Sequence, residues 1–306
     1  AGHDNWNQSV ASQHVRVPGS SCNVKVSWRK RPHASASRYS IKQEIVIGMV
    51  SKKLLAVGAT GSIGEHVVAV ALEEGYTVRV LVRNARQAGQ FPAGVEVAVG
   101  DLTRAETLVE AVDGIDAVVF THGSNGRPPG PEAVDYGAVR NVLTALEGRQ
   151  VRIALMTTIG STDRKGAHDW KRRGERLVRA SGLPYTIVRP SWFDYNAPDQ
   201  HRLVMLQGDK KLTGTPRDGQ IARRQLARVL VRSLQSEAAL RKTFELHSAT
   251  GTEQKNFDEV FAPLDADVVG AVDAAHDLAN MPLDNEPLPM QKDLEAVRAR
   301  AASSAD

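Results

Sequence analysis

The chain has 306 residues, 42% hydrophobic and 24% charged. That balance suits one large α/β domain or two small ones, and nothing approaches the roughly eighteen uninterrupted apolar residues of a membrane span. The single cysteine, Cys22, excludes an internal disulfide and a cysteine-built metal cluster. A pI of about 9.2 raises the prospect of a nucleic-acid partner, but the basic excess is local. Residues 1–48 hold Arg16, Lys25, Arg29, Lys30, Arg31, Arg38 and Lys42 against Asp4 and Glu44, a net +5. With +4 on the whole chain, residues 49–306 carry −1, which gives no basic surface for a phosphate backbone.

In chain order, residues 1–48 show no sustained periodicity and are rich in Ser, Asn, Gln and His. Such a segment buries too little apolar surface to offset its ordering entropy and is read as disordered. It is Arg- and Ser-rich and acid-poor, as organellar transit peptides are. Met49, however, stands five residues before the first strand, where a natural start would fall, so a non-native upstream extension is the preferred reading. From Lys53 onward short apolar runs alternate with longer amphipathic ones. Strands are expected at Leu54–Val57, Thr77–Val82, Val95–Val99, Ala117–Phe120, Ile153–Thr157, Tyr185–Val188 and Thr243–Leu246. Helices are expected at Ser62–Glu74, Arg104–Val112, Glu132–Leu146, Asp169–Ser181 and Ile221–Gln235. This alternation implies βαβ crossovers and a parallel sheet covered on both faces. The domain so defined spans 49–250. Asn196–Gly219 lacks a long periodic element and reads as a small loop-rich, substrate-side lobe. Residues 251–306 form a tail with a short helix near Phe257–Phe261 and a final one near Gln291–Ala301, to which the sequence assigns no role.

The segment Leu54-Leu-Ala-Val-Gly-Ala-Thr-Gly-Ser-Ile-Gly64 carries the most chemistry. Three glycines follow a strand and open a helix. Gly58 permits the tight turn, Gly61 lets backbone amides approach a pyrophosphate, and Gly64 lets the helix pack closely on the strand. The helix start adds free N–H groups and the positive end of its dipole. Thr60, Ser62 and Ile63 lie in the same turn. The bland alternative is an ordinary glycine-rich βα turn, but the placement between strand and helix favours a Rossmann-type dinucleotide site.

Sites for NAD place an acid about 20 residues past these glycines, on the ribose 2′-OH. Here that position is Arg83, and no acid lies between Arg79 and Arg86. A guanidinium grips a 2′-phosphate that a carboxylate would repel, so NADP(H) is the expected cofactor. The alternative is a solvated strand-end arginine. Asp101, next to Leu102 after the third strand, is either a helix N-cap or a contact to the adenine amino group, and both roles can hold together.

These residues resemble the atypical short-chain dehydrogenase/reductase superfamily, in its NmrA-like branch, over roughly 53–250. The resemblance is carried by Gly58–Gly64, Leu81-Val-Arg83, Gly100-Asp-Leu102, Val134-Asp-Tyr-Gly-Ala-Val-Arg-Asn141 and Ser181-Gly-Leu-Pro-Tyr-Thr-Ile-Val-Arg-Pro190. It implies a doubly wound Rossmann sheet, with the nicotinamide near the ends of the fourth to sixth strands and Thr121, His122 and Gly123 beside it. It also implies a Ser or Thr after the fifth strand, here Thr157 or Thr158, and a lysine beneath the ribose, here Lys171. The family tyrosine stands four residues before that lysine, where it would exchange a proton with substrate as hydride moves; this chain has Ala167. His168, three residues before Lys171, is the candidate replacement acid, with a surface or capping role as its alternative. Lys171 could instead be a solvated residue of a charged helix. Ser191 or Trp192 could face the nicotinamide, or Trp192 and Phe193 could be core aromatics.

Two functions follow. One is an NADPH-dependent oxidoreductase moving hydride to or from a small organic substrate, which could draw its proton from water or the substrate itself. The other is a non-catalytic NADP(H)-responsive protein that binds a partner, the reading Ala167 favours. The expected setting is cytoplasmic, with no membrane or nucleic-acid partner.

Overall fold

The computed structural model describes residues 11–16, 23–28, 51–211 and 213–303, in two units, residues 1–51 and 52–306. In the first unit β1 (Ala11–Arg16) pairs antiparallel with β2 (Asn23–Trp28). The expectation of disorder over 1–48 otherwise lies outside the described residues. Within β2, Val24, Val26 and Trp28 recur at period two, a strand signal too short to weigh in a window of polar residues.

In the second unit the apolar runs become β3 (Lys53–Val57), β4 (Thr77–Val82), β5 (Glu96–Val99), β6 (Ala117–Phe120), β7 (Arg152–Met156), β8 (Tyr185–Pro190) and β12 (Lys242–Ala249). Between β8 and β12 lie three shorter strands, β9 (Trp192–Phe193), β10 (Arg202–Leu206) and β11 (Gln220–Ile221). The main sheet runs β10-β12-β8-β7-β6-β3-β4-β5. Only β10 is antiparallel in it. The chain winds outward in both directions from β3 and β6, which makes their carboxyl ends the switch point of a doubly wound Rossmann sheet.

Each central strand serves two cores. Leu54 and Ala56 face one side with α1 (Gly64–Glu73) and α4 (Arg223–Ser233), while Leu55 and Val57 face the other with α2 (Gly137–Leu146), α3 (Gly166–Ala180) and α6 (Leu288–Ser303). Burial on both faces is why these strands read as unbroken apolar runs rather than alternating ones. The switch back to sheet after α1 is made by Gly75 at φ +83. There Tyr76 N–H donates to the Ala71 carbonyl and Gly75 N–H to that of Leu72, a Schellman closure that glycine accommodates without strain.

Three expectations are corrected. The helix expected at Arg104–Val112 is a short 3₁₀ turn at Ala105–Thr107 followed by irregular turns. The Arg79 guanidinium reaches in from β4 and takes the carbonyls of Glu110, Ala111 and Asp113, which fixes the far end of this segment as irregular turns. The lobe at Asn196–Gly219 is not loop alone, because β10 adds an edge strand to the sheet against β12. Its run Leu203-Val-Met-Leu206 is too short to separate strand from loop by period. Finally, the first part of the helix expected at Glu132–Leu146 is a π-helical turn, Pro131–Tyr136, leading into α2.

The tail acquires a role. Helix α3 buries Arg172, Arg176 and Arg179, and the tail supplies acids to them. Asp273 accepts from Arg176 at 2.9 and 2.8 Å and from Arg172 at 3.2 Å; Asp267 accepts from Arg179 at 3.0 Å. Glu286 pairs with Arg173. After this segment, α5 (Asp258–Phe261) having preceded it, α6 lays Met290, Leu294 and Val297 into the second core.

Removing one partner from a buried ion cluster leaves the other charge desolvated and uncompensated, which costs roughly 3–5 kcal/mol. Arg176→Met should therefore lower the urea midpoint by an amount equivalent to about 3 kcal/mol with an unchanged slope, as measured by circular dichroism. A change below roughly 1 kcal/mol would show the cluster to be solvated.

Candidate functional site

The switch point is a place where three main-chain segments meet with no room for side chains. Gly58 ends β3 at φ +86, and a Cβ there would lie 2.6 Å from the amide nitrogen of His122 after β6. A Cβ on Gly64, at the start of α1, would lie 2.1 Å from the Gly58 carbonyl oxygen. The turn closes through Gly61 N–H to the Gly58 carbonyl at 3.0 Å. Thr60, Gly61 and Ser62 are exposed at its mouth, and Ile63 is buried beneath them. A cradle that any Cβ would fill, with exposed main chain leading into a helix start, fits a diphosphate.

Beside it β6 continues into Thr121, His122 and Gly123. Thr121 Oγ1 donates to the Val57 carbonyl at 3.1 Å, tying the ends of β3 and β6 together. His122 is buried, its Nε2 3.4 Å from the Asp135 carbonyl and its ring edge-on to Phe120. Among the described residues nothing bonds its Nδ1. Burial, and secondarily the Lys171 charge, lowers its pKa to about 4, so the ring is neutral at physiological pH.

Lys171 sits at this same place. Its Nζ donates to Asp135 Oδ1 at 3.1 Å and lies 3.9 Å from where a Cβ on Gly123 would stand. The Asp135 carboxylate also accepts from Ser124 N–H at 2.8 Å and Ser124 Oγ at 2.7 Å. Asp135 belongs to the π-helical turn, a feature common at functional sites. The sequence reading gave it no role, because beside Glu132 in the same turn it reads as an ordinary helical acid. The turn glycines, Thr121–Gly123 and Lys171 thus converge. The reading of Lys171 as a solvated residue is corrected, since its side chain is 19% exposed and ion-paired.

The remaining candidates divide. Arg83 and Arg86 are exposed at the outer end of β4, without an ion-pair partner among the described residues. Asp101 accepts from Thr103 N–H at 2.9 Å and Thr103 Oγ1 at 2.7 Å, hydrogen bonds that hold its carboxyl below the usual range. The Asn141 side chain donates to the Leu102 carbonyl at 2.7 Å, fixing the loop after β5. Thr157 gives its hydroxyl to the buried Glu175 at 2.7 Å, while Thr158 is half-buried just beyond it. His168 does not join Lys171: its Nδ1 lies 2.9 Å from the Gly160 carbonyl. Ser191 Oγ donates to the Leu246 carbonyl at 2.9 Å. Trp192 is 37% exposed and packs edge-on against Tyr195. Tyr136 and Tyr185 spend their hydroxyls on Asp293 and Asp267, so among the described residues neither stands in for the phenol missing at Ala167.

A family profile described as NAD(P)H-binding matches residues 58–237. An uncharacterized chloroplastic protein of Arabidopsis thaliana is 30% identical over 296 residues, covering 83% of this chain and 90% of its own. The sanguinarine reductase of Eschscholzia californica is 27% identical, over 69% of this chain and 96% of its own. An oxidoreductase solved from Lactococcus lactis superposes with a TM-score of 0.55 at 17% identity, over 69% of this chain and 95% of that one, a likeness of fold. The expected cytoplasmic setting is corrected by the Arabidopsis relative, which is a chloroplast protein. Among the described residues no helix is long and apolar enough to cross a membrane, and no group of His, Cys, Asp or Glu is arranged to hold a metal.

The His122 ring supplies a direct check on this geometry. With its pKa near 4 against 6.5 for an unhindered ring, the folded state binds fewer protons than the unfolded one between those values. Stability is then full above about pH 6.5 and falls as pH drops toward 4, by on the order of 3 kcal/mol in all. By NMR the His122 ring signals should hold their neutral positions from about pH 8 down to about pH 5. A midpoint above about pH 6 would mean that the ring is not buried beside Lys171.

Proposed function

The chain belongs to the NAD(P)H-binding family, and from that premise we propose that it is an NADPH-dependent reductase of a small organic acceptor. The observation that carries this reading is the cradle in which Gly58, Gly64 and the His122 amide meet too closely for any Cβ, with the Lys171 ammonium at its inner edge.

In this reading the exposed amides from Thr60 to Ile63 and the α1 start hold the diphosphate. Arg83, with Arg86 close by in sequence, takes the 2′-phosphate at the end of β4. Asp101 and Leu102 border the adenine. Lys171, held at a fixed height by Asp135, donates to the ribose hydroxyls, while Thr121, His122 and Gly123 wall the nicotinamide side. The bound nicotinamide would supply the hydride. Thr158, on the loop after β7, is the hydroxyl best placed by its position in the chain to meet the acceptor. His168, tied to the Gly160 carbonyl, acts in this reading by holding that loop. A chloroplast setting, by likeness to the Arabidopsis relative, is part of the proposal. Import of the full chain into isolated chloroplasts would support it, and exclusion from them would refute it.

A second reading, an NADP(H)-responsive binding protein without turnover, is favoured by one observation: the hydroxyls of Tyr136 and Tyr185 are committed elsewhere and Ala167 brings no phenol beside Lys171.

Calorimetry separates the parts. NADPH should bind at least tenfold tighter than NADH, and Arg83→Asp should cancel that preference while leaving NADH affinity within about twofold; equal losses for both would refute the 2′-phosphate role. NADPH oxidation should proceed with at least one of a panel of quinones, azo compounds, iminium alkaloids and ketones, and fall by about a hundredfold in Lys171→Ala. Tight NADPH binding with no turnover on any of them would favour the second reading.

A further inference from the structure

A cavity of about 260 Å³ opens beside the loop after β7, lined by Ile159, Leu206, Asp209, Lys211, Glu245 and His247 among others. Glu245 and His247 alternate along β12, so both project from one face of the sheet. They are 6% and 7% exposed, yet among the described residues no hydrogen bond reaches Oε1 of Glu245, whose ion-pair partner Arg189 stands 3.9 Å away, or Nδ1 of His247. The other acids of the wall are satisfied. Asp209 accepts from the backbone N–H groups of Gly160 at 2.6 Å and Thr162 at 2.9 Å, and Asp218 from those of Thr213 and Gly214, both at 2.8 Å. The main chain makes room for the imidazole. A Cβ on Gly219, at φ +130, would come within 2.9 Å of the His247 ring.

We infer that this cavity is the acceptor pocket of the proposed reductase, and that Glu245 donates a hydrogen bond to a carbonyl oxygen of a small acceptor of the quinone type. The inference rests on the reductase reading. A buried polar atom without a hydrogen bond is costly, and a ligand oxygen entering the cavity would satisfy atoms on this wall. Ile159 and Leu206 supply the apolar remainder of such a pocket. Its position follows from register. Ile159 N–H donates to the Pro190 carbonyl and Ser191 N–H to that of Leu246, so the cavity adjoins the carboxyl ends of β7 and β8, past Thr158.

The protonation state agrees. Burial raises the Glu245 carboxyl to about 7, opposed by Arg189 at 3.9 Å from β8 and by a hydrogen bond from the Asp209 backbone, and reinforced by the carboxylates of Asp209 after β10 and Asp277 from the tail. His247, buried with the Lys211 charge facing it, is neutral, its pKa lowered to about 4. A ligand therefore meets a neutral acid and a neutral imidazole. The neutral acid can donate to a carbonyl oxygen, and a cationic acceptor would be repelled by Arg189 and Lys211.

The test uses the full chain with saturating NADP⁺, which forbids turnover, and 1,4-naphthoquinone as the probe, titrated by calorimetry. Wild-type affinity should fall about tenfold, or roughly 1.4 kcal/mol, from about pH 6 to about pH 8.5 as the carboxyl ionises. Glu245→Gln keeps a donor that does not titrate, so its affinity should be flat over that range. Leu206→Trp should fill the cavity and weaken quinone binding at least tenfold. NADPH affinity, measured on each variant, should stay within twofold of wild type and reports that each is folded. The inference is overturned if wild type does not bind the quinone, if Glu245→Gln keeps the wild-type pH profile, or if Leu206→Trp binds as wild type does. If NADPH fails to bind wild type, the reductase reading falls first and takes this one with it.

Discussion

Helix α3 carries guanidinium groups into the protein, and the way they are neutralised organises everything around the switch point. Buried Glu175 is the hub. It accepts from Thr157 after β7 at 2.7 Å, from Arg189 on β8 at 3.0 and 2.6 Å, and from Arg179 on its own helix at 3.1 Å. Burial alone would keep that carboxyl protonated. The Arg189 and Arg179 charges outweigh burial and hold it below the usual carboxylate range. Arg189 in turn shares itself with Asp277 at 2.7 and 3.0 Å, and stands 3.9 Å from Glu245. One chain of charge thus runs from the loop after β7, through α3 and β8, to the β12 wall of the cavity.

That arrangement fixes the orientation of α3. The helix cannot rotate without breaking several buried pairs, each of which would leave a desolvated charge. Lys171 lies on the one side of α3 that the tail acids do not reach, and is delivered to Asp135 and the backbone at Gly123 instead. The tail therefore bears on the site without touching it. Asp267, Asp273, Asp277 and Glu286 are what allow a helix this basic to be buried, and a buried α3 is what holds Lys171 at one height above the turn. The glycines complete the constraint from the other side. The Gly58–His122 approach leaves no slack between β3 and β6, so the lysine and the glycine turn are set against one rigid edge.

The parts of this that were legible in the sequence are those written in local chemistry. Gly58, Gly61 and Gly64 between an apolar run and a helical one specify turn, approach and packing within seven residues, and the alternation of strand and helix specifies the layered sheet. What was not legible depended on partners far away in the chain. Trp170-Lys-Arg-Arg-Gly-Glu-Arg176 reads as a solvated charged face, because the acids that bury it lie roughly a hundred residues later. Asp135 looks like an ordinary helical acid until Ser124 and Lys171 are brought to it. The helix expected at Arg104–Val112 has adequate local pattern, but Arg79 from another strand holds the carbonyls at its far end, from Glu110 to Asp113, in irregular turns. Glu245 and His247 stand two apart in β12, in a strand whose polar residues alternate with Phe244 and Leu246. Period two placed them on one face, but only the cavity gives that face a use.

Ala167 bears on how such a site could work without the phenol. In the family pattern tyrosine stands one helical turn before the lysine and meets substrate from the α3 side of the pocket. In this chain the first turn of α3 is Gly166-Ala-His-Asp, a run with no hydroxyl. His168 turns to the Gly160 carbonyl, and the Gly160 amide is fixed by Asp209. The α3 side of the pocket is thereby held by hydrogen bonds to the loop from Thr158 to Thr162, which commit the Ser161 and Thr162 hydroxyls and the His168 ring and leave Thr158 as the hydroxyl on that loop. Across the cavity β12 offers the opposite conditions, an acid that burial keeps protonated up to about pH 7 beside an imidazole that does not compete for its proton. If the protein reduces an acceptor, the physical requirement for a donor near the reacting oxygen has moved from the helix to the strand. Burial, rather than a neighbouring lysine, then sets the acidity of that donor.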